Sequence, residues 1–251
     1  MTGLSSASSP DPAIWICRQG EIETTDLPDW LSETERSTVS LFSGPRRREY
    51  LASRWLLRQA IAGASGKDAA VCRPVPGRPI ESQHPTGWRL SLSHSNGLCA
   101  CATSSVGVIG LDIEPAERHP QWQKVVKRWF TAHEQAWLLG RNQPDQFLTV
   151  WTLKEAWLKA TGRGIAGNLQ TLEVSPDFRL AGDQSEPDWY ASCSRVGNFL
   201  VTLVFRTAGA ATPPVIRLLP EPPGSLELAP ASADTQLVKP LVFTAITRRS
   251  D

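Results

Sequence analysis

Gly110-Leu111-Asp112-Ile113-Glu114 sets two carboxylates inside a run that otherwise reads as a buried strand. Val106, Val108, Leu111 and Ile113 supply β-branched and aliphatic character, and Pro115 ends the run. Residues two apart in a strand share a face, so Asp112 and Glu114 project together while Leu111 and Ile113 point into apolar packing. Two adjacent anions need a cation, or one of them takes up a proton. For an arbitrary Asp-x-Glu the ordinary partner is an Arg or Lys that quenches a strand edge. Here a second segment, Trp151-Thr152-Leu153-Lys154-Glu155-Ala156-Trp157-Leu158-Lys159, offers a third carboxylate.

Upstream of the acidic strand, residues 89–93 alternate polar and apolar and run into His94-Ser95-Asn96-Gly97, where Asn-Gly signals a hairpin. Leu98 to Thr103 reads as the returning strand. A second turn leads to the acidic strand, so Ser93 and His94 are expected beside Asp112 and Glu114 in one antiparallel meander. A turn histidine satisfied by backbone is the alternative for His94. Further back, Ala13 to Cys17 reads as a short strand, and Ser32 with Glu35 forms a capping box opening a short helix through Phe42. Gly44-Pro45 breaks it, and a longer helix is expected from Arg46 to Ile61, ended by Gly63. Arg46, Arg47 and Arg48 stand at its N-terminal end, where an anion is favoured, although such arginines ordinarily form a solvated face.

Downstream, residues 120–130 read as a helix with Trp122, Val125, Val126 and Trp129 as its apolar stripe. Thr131 and Glu134 make a second capping box, which is a sufficient duty for Glu134. A helix from Pro144 or Asp145 to Thr161 follows, closed by Gly162 and Gly164. On it Trp151, Glu155 and Lys159 stand four apart and share a face. That face is either an exposed ion pair worth ~0.3–0.5 kcal/mol or one turned inward toward Asp112 and Glu114. Strands return at Leu172 to Val174, Trp189 to Ala191 and Phe199 to Phe205. A turn before an apolar strand occurs at both Asn96-Gly97 and Gly197-Asn198, a faint internal echo.

The echo points to an α+β chain of two similar halves, each a helix on a small antiparallel sheet. The expected division is a flexible start at 1–12, an N-terminal half at 13–110, a C-terminal half at 111–220 and a tail at 221–251. The tail, rich in Pro, Ala and Ser, is expected to be poorly ordered or loosely docked, with Leu241-Val242-Phe243 as a docking segment. A net charge of +1 over 251 residues gives no general nucleic-acid surface. No apolar run reaches the ~20 residues that span a bilayer. The start lacks a basic and an apolar region, so no secretory leader and a cytoplasmic location are expected. Five cysteines in no metal or redox spacing read as reduced, mostly buried thiols.

Together these segments resemble the signature of the 4′-phosphopantetheinyl transferases, in the broad-specificity class typified by the surfactin-synthetase activator. The resemblance rests on Gly110 to Glu114, on Trp151-x-x-Lys154-Glu155-Ala156 with Lys159, and on Gly77-Arg78-Pro79, Leu92-Ser93-His94-Ser95, Phe130 to Glu134 and Gly162-Arg163-Gly164. It implies a fold of two pseudo-symmetric halves with the active site at their interface, and, from the chain length, a monomer with fused halves. It implies transfer of 4′-phosphopantetheine from coenzyme A to a serine of apo acyl, aryl or peptidyl carrier proteins, as in fatty-acid and nonribosomal-peptide synthesis. Mg²⁺, or Mn²⁺, would sit on Asp112, Glu114 and Glu155. Glu155 would also be the general base and Lys159 would stabilise or protonate the leaving phosphate. Ser93, His94, Lys154, Arg78, Arg47 and Arg48 would contact coenzyme A. Glu134 matches an acidic position beside the metal. Trp122, Val125 and Trp129 read as core, with a carrier-binding surface as the alternative.

Two other readings use the same residues. A Mg²⁺-dependent pyrophosphate hydrolase acting on coenzyme A would use the triad with water as nucleophile. A non-catalytic module would bind coenzyme A or a carrier without chemistry, and the presence of all three carboxylates argues against it.

Overall fold

The computed structural model describes residues 11–22, 26–77, 79–117 and 121–249. Most of the expected flexible start, and Arg78, lie outside the described residues. In chain order the elements are β1 (Ala13–Arg18), α1 (Glu33–Val39), α2 (Gly44–Ser65), β2 (Arg73–Val75), β3 (Ile80–His84), β4 (Arg89–Ser95), β5 (Leu98–Ser104) and β6 (Ile109–Pro115). Then come α3 (Trp122–Trp129), α4 (Ala132–Arg141), α5 (Pro144–Ala160), β7 (Leu172–Val174), β8 (Leu180–Gly182), β9 (Trp189–Val196), β10 (Phe199–Arg206), β11 (Val215–Leu218), β12 (Asp234–Gln236) and β13 (Val242–Arg248).

The strands form two sheets, one ordered β12-β11-β1-β5-β4-β3-β2 and the other β6-β10-β9-β13-β8-β7. Alternation along the strands sorts the apolar side chains into three cores. Helix α2 covers the outer face of the first sheet through Leu51, Trp55 and Leu56 against Trp15, Leu90 and Cys101. Helix α5 covers the second sheet through Leu153, Ala156 and Trp157 against Leu172, Ala191 and Val204. Between the sheets, Ile14, Ile16 and Ala100 meet Leu111, Ile113, Val201 and Leu203. The expected α+β architecture of two helix-on-sheet halves is therefore present, and Leu111 and Ile113 are its joint. Among the described residues no helix is long and apolar enough to cross a membrane.

The local signals hold where they are purely local. Ser32 and Glu35 close a capping box on α1, and Thr131 and Glu134 close one on α4. All five cysteines are buried free thiols. Tertiary packing overrides the sequence elsewhere. α1 ends at Val39, short of Phe42, and Gly44-Pro45 is itself the start of α2 two residues before the expected Arg46, with the proline in the first turn where its missing N–H costs nothing. The helix then runs through Gly63 to a left-handed cap at Gly66. Gly63 lies against the Trp15 ring, where a side-chain carbon would collide, so this glycine serves helix-to-sheet approach and not termination.

Two larger expectations are corrected. The acidic strand does not continue the β4–β5 hairpin as a meander. It leaves the first sheet and pairs with β10, Asp112 facing Thr202 and Glu114 facing Leu200. The tail is not loosely attached. Leu226, Glu227 and Ala229 cross α2 and accept hydrogen bonds at their carbonyls from Trp30 Nε1 (2.8 Å), Trp55 Nε1 (2.9 Å) and Gln59 Nε2 (2.9 Å). β13 lies inside the second sheet, antiparallel to β9 and parallel to β8. The chain passes from the first sheet to the second between β5 and β6, and β11 then returns to pair with β1 in the first sheet.

Candidate active site

β6 is the edge of its sheet, with β10 on one side, so the N–H and C=O groups of its other side need partners. Serines of the opposite half and a lysine of α5 provide them. Strand β4 turns Leu90 and Leu92 toward α2 and sets Ser91, Ser93 and Ser95 on the other face. Leu111 N–H donates to Ser91 Oγ (2.8 Å) and Ile113 N–H to Ser93 Oγ (3.3 Å). The Leu111 carbonyl accepts from Lys159 Nζ (2.8 Å). Gly110 lets β6 reach this place: a side-chain carbon there would strike the Ala156 carbonyl and the Ala160 amide of α5.

This seam gathers the acidic residues. Asp112 Oδ1 accepts from Ser93 Oγ (3.1 Å) and Lys159 Nζ (2.9 Å), while its Oδ2 is buried without a hydrogen-bond partner. Lys159 thereby directs its ammonium to Ser93 Oγ, the Leu111 carbonyl and Asp112. Glu114 Oε2 accepts from Ser95 Oγ (3.2 Å). Glu155, on the same face of α5 as Lys159, has a buried Oε1 with no partner. Burial first, then the negative charge of Asp112, push its carboxyl up to about 7, with Lys159 opposing and Glu114 adding. Asp112 is likewise raised, chiefly by burial, against the pull of Lys159. Behind Asp112, Thr202 Oγ1 bonds Thr152 Oγ1 (2.8 Å), which donates to the Thr149 carbonyl (3.0 Å).

A cavity of about 440 Å³ opens at this place between the halves. Gly77, Pro79, Ile80 and residues 90–92 form one wall, and Glu155, Leu158, Lys159 and residues 162–165 form the other. The inward alternative for Glu155 and Lys159 is therefore the one realised. Residues 108–204 match the 4′-phosphopantetheinyl transferase superfamily, and residues 35–104 match the 4′-phosphopantetheinyl transferase N-terminal domain. The 4′-phosphopantetheinyl transferase HetI of Nostoc sp. is 33% identical over 183 residues, 68% of this chain and 76% of that protein. The chain belongs to the 4′-phosphopantetheinyl transferase superfamily. Shorter matches of the same kind are psf-1 of Bacillus pumilus, 33% identical over 47% of this chain and 50% of that protein, and Sfp of Bacillus subtilis, 32% over 39% and 43%.

The transferase departs from expectation at two charged residues. Lys154 does not reach a phosphate site. It is 0% exposed and donates to Glu134 (2.8 Å) and to the carbonyls of Leu169 (2.7 Å) and Leu172, with its Nζ 5.0 Å from the Phe130 ring centroid. Glu134, also 0% exposed, is occupied as well: Oε1 accepts from Lys154 and from Val174 N–H (2.9 Å), and Oε2 from Thr131 N–H (3.0 Å). The pair braces α4, α5 and β7 from inside and offers nothing to a ligand. Trp122 and Val126 are core residues, which leaves Lys124, Lys127 and Arg128 on the exposed face of α3.

His94 is exposed, and its Nδ1 lies 3.2 Å from Glu49 Oε2, at ion-pair distance. Arg47 and Arg48 occupy the first turn of α2, the helix that carries Glu49. Ser91, Ser95 and Glu49 escape the sequence reading. The period-two serines of β4 were a visible signal, but Glu49 had none, because its contact to His94 spans two elements. Among the described residues no three His, Cys, Asp or Glu side chains are already gathered as a metal cage. The donor set nevertheless fits a hard cation: oxygen only, with an unpartnered buried oxygen on both Asp112 and Glu155.

Proposed function

We propose that this transferase moves 4′-phosphopantetheine from coenzyme A to a serine hydroxyl of apo acyl, aryl or peptidyl carrier proteins, with Mg²⁺ on Asp112, Glu114 and Glu155. The observation that carries the proposal is Glu155, a carboxyl raised to about 7 beside Asp112 on the wall of the inter-half cavity. Its elevation reports negative charge placed in a poorly solvated spot, which a divalent cation relieves. When bound, Mg²⁺ neutralises the pyrophosphate and favours in-line displacement, and the oxygen-only donor set admits Mn²⁺ as well.

The serine oxygen forms a bond to the β-phosphorus while the bond to the bridging pyrophosphate oxygen breaks, releasing adenosine 3′,5′-bisphosphate. Glu155 takes the serine proton, directly or through a water, and is a weaker base with the cation bound than without it. Lys159 holds Asp112 in place and brings positive charge to the cavity wall, and Ser93 fixes both of them. Because the Lys159 ammonium is directed at three acceptors, its role is electrostatic, and protonation of the leaving group is left to solvent. Arg78, Arg47, Arg48 and His94 are the residues proposed for the phosphates of coenzyme A. The protein is proposed to act as a cytoplasmic monomer.

The test is the intact mass of an apo carrier protein incubated with enzyme, coenzyme A and Mg²⁺. One added phosphopantetheine, lost with chelator and with Asp112→Ala or Glu155→Gln, is expected. Coenzyme A consumed with no gain on any carrier would replace transfer with hydrolysis.

A further inference from the structure

Among the described residues that line the inter-half cavity, Lys159 and Arg163 are the cations. Lys159 directs its ammonium at three acceptors within the seam. Arg163 is arranged differently. Its backbone is set by the end of α5, where Gly162 turns left-handed (φ 70°), Gly162 N–H donates to the Lys159 carbonyl (3.3 Å) and Arg163 N–H to the Leu158 carbonyl (2.8 Å). Its side chain is set by Asp183, just past β8: one nitrogen, Nη1, donates to both Oδ1 (2.9 Å) and Oδ2 (2.7 Å). Asp183 is itself tied down through its N–H, which donates to the Thr171 carbonyl (3.1 Å).

The two side chains are 29% and 37% exposed, so their pairing adds little to stability, and its consequence lies in the donors it leaves over. A guanidinium carries five N–H groups and stays charged. Nη1 gives its two to Asp183. Nε and Nη2 hold the other three, and none of these donates to a protein acceptor among the described residues. Nε–H and the neighbouring Nη2–H form a fork that matches two oxygens of one phosphate. The α5 side of the cavity needs such a group. Coenzyme A brings a pyrophosphate and a 3′-phosphate, Lys154 is sealed in the core, and the last carbonyls of α5 present the negative end of the helix. We propose that Arg163 contacts a phosphate of coenzyme A through Nε and Nη2, and that Asp183 is the positioning residue that aims it. The inference rests on the reading of coenzyme A as the ligand of this cavity.

The experiment is titration calorimetry of the full chain with coenzyme A, 3′-dephospho-coenzyme A and, by displacement, pantetheine, which carries no phosphate. Arg163→Ala is expected to weaken coenzyme A binding at least about tenfold and to leave pantetheine within about twofold. Arg163→Lys, which keeps the charge and loses the fork, is expected to recover only part of the loss. A loss that persists with dephospho-coenzyme A places the contact on the pyrophosphate, and one that vanishes places it on the 3′-phosphate. Asp183→Ala is expected to weaken coenzyme A binding several-fold in the otherwise unmodified chain and to add nothing in the Arg163→Ala background. If Arg163→Ala binds coenzyme A as the unmodified chain does, or loses pantetheine equally, the phosphate contact is overturned while the transferase reading stands. An Asp183→Ala effect of the same size in both backgrounds, or none, overturns the positioning role alone. If the unmodified chain binds no coenzyme A, the inference and the reading beneath it fall together.

Discussion

Glu155 sets activity against stability through a single proton. Its carboxyl stands at about 7 in the folded protein against an ordinary 4.5. As pH rises between those values the unfolded chain releases this proton before the folded one does, so stability falls across that window and is fully retained only below it. Glu155→Gln is therefore expected to flatten the pH dependence of Tm between about 4.5 and 7 and to raise Tm at pH 7.5, while transfer falls at least about a hundredfold. A Tm at pH 7.5 no higher than that of the unmodified protein would count against the buried charge. Lys154 behaves in the opposite way. Lys154→Met leaves the Glu134 carboxyl buried without its ion-pair partner, an expected cost of about 3–5 kcal/mol in urea unfolding, with KM for coenzyme A unchanged in whatever fraction folds. The sequence placed Asp112, Glu155 and Lys159 on shared faces because periods of two and of nearly four are local. It misplaced Lys154 because the acceptors around it, at 134, 169 and 172, come from elements that no local pattern links.

At the level of elements, the seam between β4 and β6 decides whether the acidic residues meet. Gly110→Ala forces β6 away from α5 and is expected to destabilise by about 1–3 kcal/mol or more, with transfer lost even in folded material. Ser91→Ala strips the Leu111 N–H of its partner without touching a carboxylate, an expected 1–3 kcal/mol, roughly, by chemical denaturation. If Ser91→Ala costs nothing, water or a shifted strand must satisfy that amide. Capping boxes and hairpin turns were legible because each is completed within a few residues. The departure of β6 from the first sheet was not, since a strand of alternating pattern pairs equally well with either neighbour, and only the apolar faces of Ile113 and Val201 across the inter-sheet core settle it.

Across the whole molecule, two helix-on-sheet halves were readable from alternating strands and two long helices, whereas the route of the last thirty residues was hidden by their Pro- and Ala-rich composition. Removing β13 takes out an internal strand and leaves β8 and β7 without their link to β9. A chain ending at Lys239 is expected to lose cooperative unfolding of the second half, seen as a split or broadened calorimetric transition. The path runs through the first sheet, then the second, returns to the first with β11 and β12, and finishes in the second with β13. A single cut at the turn between Ser105 and Val106 would consequently not release two independent modules. The later fragment carries the strands and the crossing segment that finish the earlier one, so the two pieces are expected to be inert apart and to regain transfer only when co-expressed.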